Sequence, residues 1–180
     1  MEARLAVTCV LGLLAADPAA AADRHKGWSV ASDIGRDVLV AAALGVPALH
    51  ADWKGDLQAG ESMGVAILAA EALKATVHET RPDHSNRKSF PSGHAAISFA
   101  AAATLQNRYG WQVGIPAQLL AAFVGTARVE ARKHHWYDVA ASAAIGEASG
   151  FLLTSRRGGT IRVTPWGDSH GGGAALSFRF

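Results

Sequence analysis

The apolar residues of this chain gather in alanine-rich segments whose length suits helices and little else. Val38–Leu49 runs for 12 residues, Ala95–Asn107 for 13 and Tyr109–Ala127 for 19. Strands rarely exceed about 10 residues. A membrane span needs about 20 predominantly apolar residues. Only Tyr109–Ala127 approaches that length, and Gly110, Gln112, Gly114 and Pro116 interrupt it, while Glu147 divides the last apolar segment. Alanine also lets neighbouring helices approach closely. The expectation is an all-α fold, a helical bundle of about five core helices.

Capping residues place the helices. Ser32 is suited to cap a helix through Asp33 to about His50, with Asp33 and Asp37 near its positive end. A second helix is expected over Asp56–Val77, and a third from Ser92 to about Arg108, stopped by Gly110. The fourth begins near Pro116, a favourable first-turn residue, and reaches about Arg132; the fifth covers Tyr137–Thr154. The tail, residues 160–180, changes character. Ile161–Val163 and Ala175–Phe178 read as the strands of a short C-terminal β-hairpin around a Gly-rich turn. Trp28, Trp53, Trp111 and Trp136 are expected to pack in the core, with a membrane interface as their other use.

Residues 1–22 have the form of a secretory signal peptide. Arg4 is the basic start, Leu5–Ala15 the apolar centre, and Ala20 and Ala22 the small residues before a cleavage point. Cleavage there removes Cys9, the one cysteine, and leaves no disulfide, thiol nucleophile or thiolate metal site. The expected product is exported, to a periplasm or to a membrane surface, with residues 23–159 as the helical domain. A formal charge of +2 without any long basic run argues against nucleic acid as a partner. His25, His50 and His170 form no metal-ligand spacing, so neither metal nor other cofactor is expected.

Three short clusters carry chemistry. Lys74 and Arg81, seven residues apart, would lie about 10 Å apart on one helical face, with Pro82 ending the helix. An arginine at a helix end can grip a phosphate with two parallel hydrogen bonds. In Pro91-Ser92-Gly93-His94, the serine can cap the following helix and the glycine lets a ligand approach the backbone. The free N–H groups of that first turn attract an anion, and His94 can give a proton to a leaving oxygen. Arg128, His134 and Asp138 form the third cluster, where the aspartate can orient a histidine by accepting from one ring nitrogen. Taken singly, the clusters also fit a solvated helix face, an ordinary serine cap and a basic loop with Asp138 as a cap. His135 competes with His134, and sequence position alone does not separate them.

In order and spacing the clusters resemble the type 2 phosphatidic acid phosphatase family, which includes bacterial acid phosphatases and vanadium haloperoxidases. The family pattern is lysine, six residues, Arg-Pro; then Pro-Ser-Gly-His; then Ser-Arg, five residues, His, three residues, Asp. The first two motifs are complete here. The third matches at Arg128, His134 and Asp138, with Ala127 in place of the serine. The resemblance implies that His134 attacks phosphorus to form a phosphohistidine while Asp138 orients it. His94 would protonate the leaving alkoxide and then activate water. Lys74, Arg81, Ser92, Gly93 and Arg128 would hold the non-bridging oxygens, so that three cations do the work of a metal. The expected activity is a metal-independent phosphatase acting on phosphomonoesters or lipid phosphates, with peripheral membrane contact. A vanadate-dependent haloperoxidase and a non-catalytic anion-binding module are the alternatives. Ala127 forfeits one hydrogen bond, worth about 1 kcal/mol.

Overall fold

A computed structural model describes the backbone of residues 18–157, 160–168 and 171–179, with side chains from Ala22 to Arg157. Five helices follow one another: α1 (Pro18–Leu49), α2 (Trp53–Thr76), α3 (Gly93–Tyr109), α4 (Trp111–Glu130) and α5 (Trp136–Leu153). The hairpin expected in the tail forms from β1 (Thr160–Asp168) and β2 (Gly171–Arg179), antiparallel with Ile161 opposite Phe178. The fold is the all-α bundle foreseen. The apolar centre of the signal-like segment, Cys9 and His170 lie outside the described residues, and the cleavage point after Ala22 falls within α1.

α3 sits at the centre and packs against the other four helices. Its sequence explains why: small residues cover every side of it, and Ala95, Ala96, Ala100, Ala101, Ala102 and Ala103 are wholly buried. Interaxial distance depends on the side chains at the contact, so alanine brings the backbones together. α5 presses closest, through Gly146 and Gly150. A Cβ on Gly146 would stand 2.5 Å from the Ala96 carbonyl and 2.8 Å from the Ala100 nitrogen. Both neighbours are backbone and cannot swing away. Gly146→Ala is therefore expected to cost about 1–3 kcal/mol through overpacking, read as a lowered melting temperature with circular dichroism unchanged at 25 °C.

Several boundaries differ from the expected ones. α1 starts well before Ser32, whose hydroxyl donates to the Ser29 carbonyl at 2.7 Å inside the helix instead of capping it. Its C-terminal end, Leu49, agrees with the expected one, the helix passing through Gly45 and Pro47. α2 stops at Thr76, ahead of Arg81: the Val77 N–H closes on the Leu73 carbonyl at 2.8 Å, and Val77 itself is extended. Two β-branched residues in succession weaken the helix there before Pro82 can act. α4 begins at Trp111, so Pro116 lies inside it.

The tryptophans depart from expectation as well. Trp53, Trp111 and Trp136 are 75%, 65% and 72% exposed. Each is the first residue of its helix, at an end of the bundle and away from the core. Trp28 is half-buried against Phe123, with ring centroids 6.1 Å apart. Exposed too are Ile34, Val38, Leu49, Leu68, Ile115 and Leu119, so the interior is alanine and much of the exterior is large and apolar. No helix among the described residues is long and apolar enough to cross a membrane.

Candidate active site

Up-and-down packing brings the C-terminal end of α2, the N-terminal end of α3, the C-terminal end of α4 and the N-terminal end of α5 to one end of the bundle. All three motif clusters lie on those ends or on the loops beside them. α1 runs past the same end. His25 Nδ1 donates to the Glu130 carbonyl at 2.6 Å, and the Ser32 hydroxyl accepts from Arg128 Nη1 at 3.2 Å.

α3 opens the site. Ser92 caps it, the hydroxyl accepting from the Ala95 N–H at 3.4 Å. Gly93 leaves room beside it: a Cβ there would lie 3.6 Å from Lys74 Nζ. Lys74 is paired with Glu71 at 2.7 Å. Arg81, expected on the helical face of Lys74, sits instead in the loop after α2, where its N–H donates to the Asn86 carbonyl at 3.0 Å. The loop still delivers the guanidinium. Arg81 Nε is buried and unpaired, and so is Nε of Arg128, which is 6% exposed. A buried charged donor without a partner costs free energy unless a ligand supplies one. Two such donors near one histidine mark a place for an anion.

That histidine is His134, 3% exposed. Its Nδ1 lies 2.6 Å from the Ser89 carbonyl. A carbonyl only accepts, so Nδ1 carries the proton and Nε2 keeps its lone pair. Burial lowers the His134 pKa, and the charges of Arg128 and Arg81 lower it further, against Asp138 and the Ser89 carbonyl. The ring is therefore neutral near pH 7. Asp138 stands 3.7 Å from Nδ1, beyond hydrogen-bond reach, and the ring is oriented by Ser89. Asp138 Oδ2 accepts from the Ser89 hydroxyl at 2.5 Å and from the His135 N–H at 2.8 Å. Burial would raise this carboxyl, but the neighbouring His134, Ser89 and His135 outweigh it and hold it well below the usual range. Asp138 thus caps α5 and places a negative charge behind the nucleophile candidate at once.

His94 lies at the site's mouth, in a cleft of about 300 Å³ shared with Arg36, Ile67, Glu71, Gly93 and Ile97. Its Nε2 is 2.7 Å from Asp33 Oδ1 and 2.5 Å from Arg36 Nη1. Burial and the charge of Arg128 pull its pKa down to about 4, Asp33 opposing and Arg36 assisting.

His135, the competitor, is 31% exposed and stacks on Tyr137 at 4.9 Å. Its Nδ1 faces Glu79 at 3.7 Å and Asp138 at 3.4 Å. Glu79, His135 and Asp138 bring three ligand-type atoms within 4.8 Å of one another, the one group among the described residues that could hold a metal. Ala127 is wholly buried; the hydroxyls that reach Arg128 come from Ser32 and, at 3.5 Å, Ser29. His84 lines a neighbouring groove with His25 and Lys133, and His78 is exposed. Sequence reasoning missed Ser89, Ser32, Asp33 and Arg36 as members of this site. Ser89 could have been suspected only from its closeness to Ser92; the α1 residues gave no signal.

One end of this helical bundle thus gathers two guanidiniums with buried, unpaired Nε atoms, a capped helix start and a neutral histidine. The chain is a member of the PAP2 superfamily, the type 2 phosphatidic acid phosphatases, whose family model matches residues 56–161. It is 37% identical over 76 residues to the lipid A 4'-phosphatase of Helicobacter pylori, covering 42% of this chain and 38% of that protein. It is 31% identical over 104 residues to the lipid A 1-phosphatase of Porphyromonas gingivalis, covering 54% of this chain and 23% of that protein. The matches therefore span less than half the length of either relative. Among solved structures, the transmembrane PAP2 type phosphatidylglycerolphosphate phosphatase of Bacillus subtilis superposes with a TM-score of 0.57 at 21% identity, over 76% of this chain and 83% of that one. Aquifex aeolicus LpxE gives 0.51 at 20% identity, over 77% and 87%. These two likenesses speak for the fold.

Proposed function

We propose that the protein is a phosphatase that hydrolyses lipid phosphates without a metal, through a phosphohistidine on His134. The observation that carries this reading is the pair of buried, unpaired guanidinium Nε donors of Arg81 and Arg128 beside a neutral imidazole with a free Nε2. Phosphoryl transfer asks chiefly for alignment and for charge stabilisation on the equatorial oxygens. Lys74, Arg81, Arg128 and the first turn of α3 supply the second. His134 Nε2 attacks in line, His94 protonates the departing oxygen, and His94 then takes a proton from the water that cleaves the N–P bond.

A lipid substrate is favoured by the apolar surroundings. Ile67 and Ile97 line the cleft beside His94, and Leu68 and Leu73 lie exposed on the same helix as Ile67. Acyl chains can rest there while the phosphate enters the cationic end. The names of the two relatives point to the phosphates of lipid A, and export to the periplasm would bring the enzyme to that lipid.

Phosphate release should be measured over a lipid A phosphate, phosphatidic acid, an isoprenoid pyrophosphate and soluble monoesters, with and without detergent and chelator. The expected result is preference for the detergent-dispersed lipids, undiminished by chelation. Acid-labile, base-stable phosphate trapped on the protein during turnover should map to His134. Activity lost to the chelator and restored by a divalent cation would point to Glu79, His135 and Asp138 as a metal site and overturn the metal-free reading.

A further inference from the structure

α1 carries none of the three motifs and lies before the matched region, yet it provides two groups at the His94 ring. Asp33 Oδ1 is 2.7 Å from His94 Nε2, and Arg36 Nη1 is 2.5 Å from the same nitrogen. One nitrogen cannot satisfy both at once. A carboxylate only accepts, so Asp33 calls for Nε2–H; a guanidinium only donates, so Arg36 calls for the Nε2 lone pair. The two stand one helical turn apart with Nη1 and Oδ1 separated by 3.8 Å. Arg36 is braced from behind by Asp37, at 2.9 Å from Nε and 2.8 Å from Nη2. Other charged groups face His94 from the remaining helices. Arg128 of α4 reaches within 3.9 Å of Asp33 Oδ1, and Glu71 of α2 lines the same cleft, paired with Lys74.

We propose that Asp33 and Arg36 are positioning residues that alternate at His94 Nε2, one partner for each protonation state that turnover requires. The proposal rests on the phosphohistidine reading above. In the first half-reaction the His134 Nε2–P bond forms as the P–O bond to the leaving group breaks. The departing oxygen keeps the bonding pair and takes the proton from His94 Nε2. The lone pair so bared accepts from Arg36, and Asp33 is released to its contact with Arg128. In the second, water oxygen bonds to phosphorus, the N–P pair returns to His134, and the water proton goes to His94 Nε2, which donates again to Asp33. Both partners meet the same nitrogen, so the exchange needs no ring flip. Each holds the imidazole in place during the half-cycle in which the other cannot.

The test is a pair of variants read on one titration. Asp33 favours imidazolium and Arg36 disfavours it, so Asp33→Asn should lower the His94 pKa and Arg36→Gln should raise it, each by about one unit. Both side chains are partly exposed, and both variants should keep the parental circular dichroism and melting. The His94 pKa is followed by NMR of the ring carbon-bound proton in the unliganded protein, assigned with His94→Asn. The limb of the kcat/KM profile that reports protonated His94 should shift the same way. Two variants that leave the titration unmoved, or move it in one direction, overturn the proposal. So does an Arg36→Gln variant that raises KM equally at every pH with the limb fixed, since Arg36 would then simply bind phosphate. Trapped phosphate on His134 in the parent enzyme, with either of those results, leaves the reaction intact and removes only the alternation. Phosphate that never appears on His134 overturns the reaction, and the catalytic use of Asp33 and Arg36 with it.

Discussion

Alanine at position 134 is expected to leave a folded protein whose phosphate release has fallen on the order of 10⁴-fold or more. The size follows from the role proposed above: the side chain removed carries the nitrogen proposed to attack phosphorus, and no neighbour stands ready to take its place. His135 is next in sequence, but its ring is stacked on Tyr137 and turned toward Glu79 and Asp138. His135→Ala should therefore lose about tenfold or less. The two alanine variants, assayed side by side with a lipid phosphate and checked by circular dichroism, decide between the histidines. Full activity in His134→Ala with a dead His135→Ala would move the nucleophile to position 135. The parent enzyme carries a further mark of the assignment. Because burial holds His134 below the usual histidine pKa, its lone pair survives into mildly acidic solution. The acid limb of activity from this group should lie below pH 6.5, the ordinary histidine value.

At the far end of the bundle, Asp52→Ala is expected to destabilise the fold by about 3–5 kcal/mol, lowering the melting temperature on the order of 10 °C. Asp52 lies in the short connection between α1 and α2, where it caps α2. It accepts from Arg108 Nε at 2.5 Å and from the Tyr109 hydroxyl at 2.9 Å, and Arg108 Nη2 pairs with its other oxygen. Arg108 Nη1 reaches on to Gln58 and to the Ser155 carbonyl, both at 2.9 Å. Four segments of chain thus meet on one guanidinium that is 5% exposed. Without the carboxylate that cation stays buried and uncompensated. The pH dependence gives a second readout. Hydrogen bonding from Arg108 chiefly lowers the Asp52 pKa from 3.8 to about 2. A carboxyl whose folded pKa is depressed contributes stability that is fully present above its unfolded pKa and lost as pH falls through the folded value. The parent should lose this contribution between about pH 4 and pH 2, and the variant should lack that step in its melting curve. Equal melting temperatures at pH 7 would mean that the pair adds nothing net.

The sequence told most where the governing interactions are local. Ser92 caps the helix it was expected to cap, because a cap needs only the three residues that follow. The alanines of α3 announced a helix for the same reason, written in one stretch, although its central place came only from the packing. Ser32 misled because the same side chain that can cap a helix can also bond back within one, here to the Ser29 carbonyl. The tryptophans misled because ring size argues for burial, whereas their place at helix starts put them at the ends of the bundle. The motif residues, picked out by sequence, do gather at one end of the bundle, whereas the residues that join them from outside the motifs were illegible. Asp33 and His94 are 61 residues apart, and Arg36 and His94 are 58 apart. Nothing in spacing or composition couples such pairs; only the packing of α1 along the bundle does.

That packing bears on where the working unit begins. The stretch matched to the family model holds every residue of the three motifs, and a protein cut to residues 56–161 would look complete by its signatures. It would nevertheless lack Ser32 on Arg128 and both α1 groups at His94. The segment by which the chain is recognised is thus smaller than the segment that builds the candidate site. A minimal catalyst built from this protein has to start upstream of Ser29, and exchanging α1 between relatives is a way to retune His94 while every signature residue stays in place.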